Sequence, residues 1–182
     1  MIVENRELLN AMHPGNMEEL IAFFSWDRPG IPDDIINCYL QNKSDPTQIV
    51  YEVPELEPIL KETYGCLIYQ EQIDRSVHEI GGFTLDKSES VRRDVAKRKQ
   101  SGLRETRESF IKGNKEERIP GCVSKGISED TANTIFDRIY DRAPYCFNKA
   151  HAAAIAFMAY SMAWLKYHYR GEYAEVTRVE II

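Results

Sequence analysis

Arg92, Arg93, Lys97, Arg98 and Lys99 place five cations within eight positions of a chain whose formal net charge is −6. This fits a localised anion site and excludes a generally basic nucleic-acid-coating protein, because contact depends on local potential rather than on net charge. The charge is regional: residues 1–87 carry 6 Lys and Arg against 16 Asp and Glu, residues 88–118 carry 10 against 6, and residues 119–182 carry 7 against 7. On a helix turning about 100° per residue, Arg92 and Lys99 fall within about 20° of each other and Arg93 and Lys97 within about 40°, while Val91 and Val95 point the opposite way. The valines would bury and four cations would converge. Guanidinium forks grip phosphate oxygens bidentately, so such a face suits a polyphosphate or a nucleic-acid backbone. Arg98 points elsewhere, towards a structural or solvated role. A merely solvated charged face is the other reading of the stretch.

A second group, Tyr145-Cys146-Phe147-Asn148-Lys149-Ala150-His151, stands at the entry to an apolar segment. Asn148 can cap a helix there, and Lys149 and His151 would project from its first turn, where unpaired N–H groups and the helix dipole favour anions. A core histidine with a flanking lysine is an equally open reading. A Cys146–His151 nucleophilic pair lacks a third orienting group. A third group, Tyr69-Gln70-Glu71-Gln72, offers two amides and a carboxylate in one first turn; the amides could read bases or simply be solvated. No P-loop, HExxH or Ser/His/Asp pattern is present, so neither a catalytic residue nor a metal ligand is assigned. Cys38, Cys66, Cys122 and Cys146 are widely spaced without CxxC, which favours reduced thiols over zinc or a disulfide framework.

The elements that must position these groups read as helices, because apolar residues recur at three- and four-residue spacing. Asn16 caps a helix through Phe24, and Pro32, Asp33 and Asp34 open one through Leu40. Residues 41–51 form a polar loop with one possible strand, Gln48–Tyr51. Pro54 begins a helix that Tyr64-Gly65 ends, and another runs from about Leu67 to Ile80 before Gly81-Gly82. Thr84 caps the basic helix, a further helix spans about Leu103 to Lys112, and Ser128 caps one reaching Arg142. Ala150–Leu165 is sixteen residues without a formal charge. That is short of the roughly 20 needed to cross a bilayer, so the expectation is a buried core helix and no membrane partner. With 43% hydrophobic and 29% charged residues and no secretory signal, the expected protein is globular and cytoplasmic. The fold expected is mainly α, with irregular helices around a buried C-terminal helix and at most a short strand or hairpin.

These residues also carry a resemblance. Leu56-Glu57-Pro58-Ile59-Leu60-Lys61-Glu62-Thr63-Tyr64-Gly65, Tyr69-Gln70-Glu71-Gln72, Val91-Arg92-Arg93 with Lys97-Arg98-Lys99, Phe147-Asn148-Lys149-Ala150-His151-Ala152-Ala153-Ala154 and Trp164-Leu165-Lys166-Tyr167-His168-Tyr169 occur in the order and approximate spacing of one family. From about Met12 to Tyr173 the chain resembles the bacterial DNA polymerase III alpha subunit, in the region of its fingers domain; residues 22–48 match poorly. The resemblance implies one fingers-like domain over 1–182, in which residues 1–52 are divergent, 53–126 form nucleotide-facing helices, 127–173 form a C-terminal helical core and 174–182 are a divergent tail. It implies that Arg92 and Arg93 face an incoming deoxynucleoside triphosphate, with Lys97 and Lys99 adding to that surface or meeting primer-template DNA. Tyr69, Gln70, Gln72, Asn148, Lys149 and His151 would line the cleft or touch DNA. The family's metal-binding carboxylates lie in a palm domain before the fingers. The residues here are therefore expected to be inactive in DNA synthesis alone, to hold no cofactor, and to meet Mg²⁺ only beside a palm domain or another polymerase subunit. A non-catalytic helical module binding DNA or a replication protein is the alternative. His13 where the family has arginine, Asp94 after the arginine pair and Ala96 for glycine depart from the pattern and weaken the positive face.

Overall fold

The computed structural model describes residues 6–177. In chain order the α-helices among them are α1 (Arg6–Met12), α2 (Met17–Trp26), α3 (Asp33–Ser44), α4 (Glu57–Leu60), α5 (Gln70–Glu79), α6 (Leu85–Ala96), α7 (Leu103–Lys112), α8 (Glu129–Arg142), α9 (Lys149–His168) and α10 (Arg170–Thr177), with short 3-10 turns between several of them. The protein is mainly α. Among the described residues there is no strand, only the isolated bridges Tyr69 to Phe147 and Asn114 to Ile119. No described helix is long and apolar enough to cross a membrane.

The chain divides into two compact units, one of residues 29–149 and one that joins 6–28 with 150–177. The larger unit has a continuous apolar core. Ile73, Val77 and Ile80 of α5 and its C-cap meet Val91 and Val95 of α6, Phe110 of α7, and Ile135, Phe136 and Ile139 of α8. Each of these is nearly or fully buried, and burial of such side chains stabilises by about 1.5–3 kcal/mol apiece before conformational entropy is charged. Val91 and Val95 are thus the inward side of the basic helix, as their spacing requires. Phe110 and Phe136 pack with ring centroids 5.5 Å apart. The Phe110 ring also lies against Gly81, where a side chain would collide with it.

In the smaller unit the Asn16 side chain accepts the Glu19 N–H at 3.0 Å, and the buried Glu19 carboxylate accepts the Gly15 N–H at 2.6 Å. The start of α2 is therefore closed from both sides, in the manner of a capping box. The caps at Thr84 and Ser128 also form as expected, accepting the N–H groups of Lys87 and Thr131.

Several expectations are corrected. The helix opened by Asp33 runs on to Ser44, so residues 41–44 are helical, and Asp45 accepts the Thr47 N–H to cap a 3-10 turn at Pro46–Gln48. That turn replaces the possible strand at 48–51. The stretch from Pro54 to Thr63 is two 3-10 turns flanking α4, ended by Tyr64 at φ 50° and Gly65 at φ 77°. The largest correction concerns α9. Only Ala152 and Ala156 are buried on it, whereas Phe157, Met158, Trp164 and Leu165 are 43–56% exposed. An apolar segment buries only what neighbouring elements cover, and here they cover a two-alanine seam one turn apart. Residues 174–177 of the expected divergent tail form the end of α10, and the rest of that tail lies outside the described residues.

Candidate functional site

The five cations do not share one helical face, because α6 stops at Ala96. Lys97 is the C-cap, Arg98 takes the left-handed conformation at φ 53°, and two returning bonds close the end. The Arg98 N–H donates to the Val95 carbonyl at 3.0 Å and the Lys99 N–H to the Asp94 carbonyl at 3.1 Å. This is the Schellman pattern of helix termination, with arginine where glycine is usual. The 100°-per-residue projection therefore holds for Arg92 and Arg93 and fails beyond them. What remains is a cluster of cations at a helix C-terminus, where the macrodipole already favours positive charge.

Most of these cations have internal partners. Arg92 Nε donates to both oxygens of Asp74 on α5, at 2.8 and 3.1 Å, and its side chain is 12% exposed. Burial pushes the Asp74 carboxyl above its usual range despite the adjacent guanidinium. Arg93 pairs with Glu89 at 2.5 Å yet stays 61% exposed, and Lys99 pairs with Asp94 at 2.6 Å. Lys97 is exposed, and its side chain has no hydrogen bond or ion pair among the described residues.

Arg98 opens a second positive region that sequence reasoning missed. Its guanidinium lies 4.3 Å from the centre of the Tyr140 ring, a cation–π contact, with Asp141 at 4.0 Å. Tyr140 lines a groove of about 320 Å³ together with Leu103, Arg104, Arg107, Phe136 and Asp137. Arg107 is tied down, its Nε and Nη2 donating to Asn133 Oδ1 at 3.0 and 2.7 Å and its Nη1 meeting Asp137 at 2.7 Å. Arg104 is exposed, and its side chain has no hydrogen bond or ion pair among the described residues. The available signal was the i, i+3 pair Arg104 and Arg107 on an amphipathic helix, which puts two guanidiniums on one side.

The other two sequence groups come together in the larger unit. The Gln70 N–H donates to the Phe147 carbonyl at 2.9 Å, which joins the start of α5 to the approach to α9. Glu71 accepts the Lys149 N–H at 3.0 and 3.1 Å and the Asn148 side-chain amide at 2.8 Å. The anion expected at the start of α9 is thus supplied by the chain itself, and Glu71, which had no assigned role, is the capping group. Lys149 Nζ meets Glu62 at 2.9 Å and lies 5.3 Å from the centre of the Tyr69 ring. The Lys149 hydrogen bond holds the Glu62 carboxyl below its ordinary range.

Gln72 is buried and wholly structural in its bonding. Its carbonyl oxygen accepts the Ile68 and Tyr69 N–H groups at 2.9 Å each, and its amide donates to the Ile59 carbonyl and to Thr63 Oγ1 at 3.2 and 2.7 Å. The expectation of a base-reading amide is corrected for Gln72 on that ground: all its polar atoms are already engaged. Tyr69 is likewise buried, while Asn148 and His151 are exposed. Of the cations in these groups, Lys97 and Arg104 have no side-chain partner among the described residues, and Arg93 and Lys99 are the most exposed of those that are paired.

The unit of residues 29–149 is an α-helical domain that presents cations around an apolar core, and the comparisons specify its family. Residues 4–118 match the model of the bacterial DNA polymerase III alpha subunit finger domain. The chain is 37% identical over 164 residues to the DNA polymerase III subunit alpha of Halalkalibacterium halodurans, covering 90% of this chain and 14% of that protein. It is 37% identical over 172 residues to the subunit alpha of Neisseria meningitidis serogroup A, and 31% identical over 172 residues to that of Aquifex aeolicus, each covering 94% of this chain and 14% of the relative. The chain therefore belongs to the bacterial DNA polymerase III alpha subunit family, as its fingers domain. It spans about one seventh of the length of these curated relatives.

Proposed function

We propose that this fingers domain supplies cations to the triphosphate of an incoming deoxynucleoside triphosphate and to the backbone of primer-template DNA. Arg92, Arg93, Lys97 and Lys99 make up the nucleotide-facing edge, and Tyr69, Gln70, Asn148, Lys149 and His151 belong to the surrounding cleft. The observation that carries the reading is Lys97, exposed and without an internal carboxylate, next to a half-exposed Arg93 on a helix whose Val91 and Val95 are locked in the core. A rigid backbone there keeps the cations in place without reorganisation as charge builds on a leaving pyrophosphate. Asp74 orients Arg92, and Glu89 and Asp94 hold Arg93 and Lys99 until an anion competes for them. Phosphoryl transfer itself belongs to a palm domain that brings Mg²⁺, in the cytoplasm, where these residues alone extend no primer.

Equilibrium titration of the purified chain with a deoxynucleoside triphosphate tests the binding claim. Binding is expected to be lost in the double variant Arg92→Ala/Arg93→Ala, and DNA affinity is expected to fall steeply with added salt. Unchanged nucleotide affinity in the double variant would remove the assignment. Robust primer extension by these residues with Mg²⁺ and four nucleotides would remove the division of labour with the palm.

A second reading, a non-catalytic module that docks on a polymerase protein, is favoured by the exposed apolar side chains of α9. The occupant would be another portion of the polymerase assembly, since the relatives are far longer than this chain. That reading predicts partner binding indifferent to Arg92→Ala/Arg93→Ala.

A further inference from the structure

Away from the cations, the larger unit places two cysteines side by side. Cys38 Sγ on α3 is 3.8 Å from Cys66 Sγ, with the Cys66 thiol donating. Cys38 is exposed, and Cys66 is 5% exposed. The position of Cys66 is fixed by its backbone: its N–H donates to the Thr63 carbonyl at 2.9 Å, and its own carbonyl accepts Thr63 Oγ1 at 2.6 Å. The turn through Tyr64 and Gly65 is pinned further by Asn42 of α3, whose amide donates to the Tyr64 carbonyl at 2.7 Å. Both ends of the pair are therefore held by the same local framework.

The two sulfurs sit in a cavity of about 330 Å³ that also receives Arg138 and Arg142 from α8. Arg138 is anchored by Glu52 at 3.0 and 2.9 Å and by the Gly65 carbonyl; Arg142 is held by Asp34 at 2.8 Å. The Cys66 hydrogen bond is the largest influence on Cys38 and stabilises its thiolate; burial and Asp34 oppose that, and Arg138 and Arg142 add to it. The Cys38 thiol is accordingly drawn down to about 6, whereas the hydrogen bond to Cys38 and burial drive Cys66 up. One sulfur is thus exposed and reactive, the other sheltered and protonated.

We propose that Cys38 and Cys66 are a site of reversible oxidation, in which Cys38 attacks a peroxide and Cys66 resolves the product to an intramolecular disulfide. The Cys38 thiolate attacks one peroxide oxygen; an S–O bond forms, the O–O bond breaks, and the departing hydroxide takes from solvent the proton that the Cys38 thiol had released, as one water. Cys66 Sγ then attacks the Cys38 sulfenic sulfur; the S–S bond forms, the S–O bond breaks, and the departing hydroxide takes the Cys66 proton as a second water. Two thiols and one hydrogen peroxide give one disulfide and two waters. A dithiol reductant returns both thiols. Forming the bond brings the sulfurs from 3.8 Å to about 2 Å. It would join α3 covalently to the turn that carries Gly65, whose carbonyl is already held by Arg138.

The test treats the purified chain with hydrogen peroxide, alkylates the remaining thiols in denaturant, and maps disulfide-linked peptides by mass spectrometry. The expected result is a Cys38–Cys66 link as the main product, with Cys122 and Cys146 recovered alkylated and the link reversed by dithiothreitol. In Cys66→Ser, Cys38 is expected to accumulate as a sulfenic acid trapped by a 1,3-dione; in Cys38→Ser, Cys66 is expected to stay reduced. A link between two Cys38 residues of different chains as the main product, or Cys38 proceeding to sulfinic acid in the unaltered chain with no link to Cys66, would overturn the proposal. Because either serine variant could unfold, the unaltered chain also supplies a kinetic readout. Its Cys38 should be alkylated by iodoacetamide at pH 7 several-fold faster than in 6 M urea, and equal rates would count against an activated thiol.

Discussion

Helices α5 and α9 contrast polarity with burial. By composition α5 is a polar segment, Gln-Glu-Gln-Ile-Asp-Arg-Ser-Val-His-Glu, yet Gln72, Ile73, Ser76 and Val77 are all buried. By composition α9 holds the longest run of the chain without a formal charge, Ala150–Leu165, yet Phe157, Met158, Trp164 and Leu165 remain 43–56% exposed. The difference lies in how apolar residues are arranged about the axis. Ile73 and Val77, with Ile80 just beyond, form one stripe at i, i+4 and i+7, so α5 has a single way to face the core. The apolar residues of α9 surround the axis, and no one face is preferred; the surfaces that bury are the small ones, Ala152 and Ala156, where another backbone can approach. Hydrophobic content decides that a helix needs cover, while its angular distribution decides whether its own chain can provide it.

The largest expected effect that tests this contrast is on α5. Ile73 is fully buried, so Ile73→Ala should cost about 2–5 kcal/mol in urea unfolding of the purified chain. A loss below about 1 kcal/mol would mean that the stripe is not the anchor of the core. Gln72→Leu should come next. It keeps a similar volume but takes the acceptor from the Ile68 and Tyr69 N–H groups and the donor from Thr63 and Ile59, and stranding such buried groups costs about 1–3 kcal/mol each. Unfolding curves for Gln72→Leu near those of the parent chain would show that the polar atoms of α5 do not help fix its position.

How far the sequence disclosed this follows the same division. Periodicity located α7 to the residue, Thr84 and Ser128 announced their helices through a capping hydroxyl, and Val91 with Val95 marked the inward side of α6. These are local signals that depend on neighbours three or four positions away. The end of α6 was not legible, because Arg98 adopts a left-handed conformation that glycine usually signals, and without that signal the cations projected onto one face. The role of Glu71 was also hidden, since its partners Asn148 and Lys149 lie 77 and 78 positions along the chain. The same holds for Gln72, whose bonds to Ile59 and Thr63 form only in the folded turn, and for Cys38 with Cys66, 28 positions apart.

Smaller effects sharpen the comparison where α5 meets the first residue of α9. Glu71→Ala removes the acceptor for the Lys149 N–H and the Asn148 amide, and loss of a helix-capping group costs about 1 kcal/mol. Amide hydrogen exchange at Lys149 should quicken with it, and unchanged protection there would rule out the capping role. The neighbouring Glu62 carboxyl is lowered by its Lys149 hydrogen bond, so its folded value lies below its unfolded one. The stability it lends is therefore present above the unfolded carboxyl range and is lost as pH falls through the folded value. In Lys149→Gln that acid-side loss should flatten, as read from urea midpoints between pH 5 and 3.

The smallest expected effect on stability falls on α9. Phe157 is 55% exposed, so Phe157→Ser removes little buried surface and should shift unfolding of this chain by no more than about 0.5 kcal/mol. Its consequence should show instead in association. An exposed row of Phe157, Met158, Trp164 and Leu165 is the kind of apolar surface that draws chains together, and replacing Phe157 by serine should lower light scattering at a given concentration. If Phe157→Ser destabilised the chain as much as Ile73→Ala, α9 would be buried in solution and the contrast with α5 would vanish. If it altered neither stability nor association, the apolar excess of α9 would be tolerated surface, and only the two-alanine seam would be under constraint from packing.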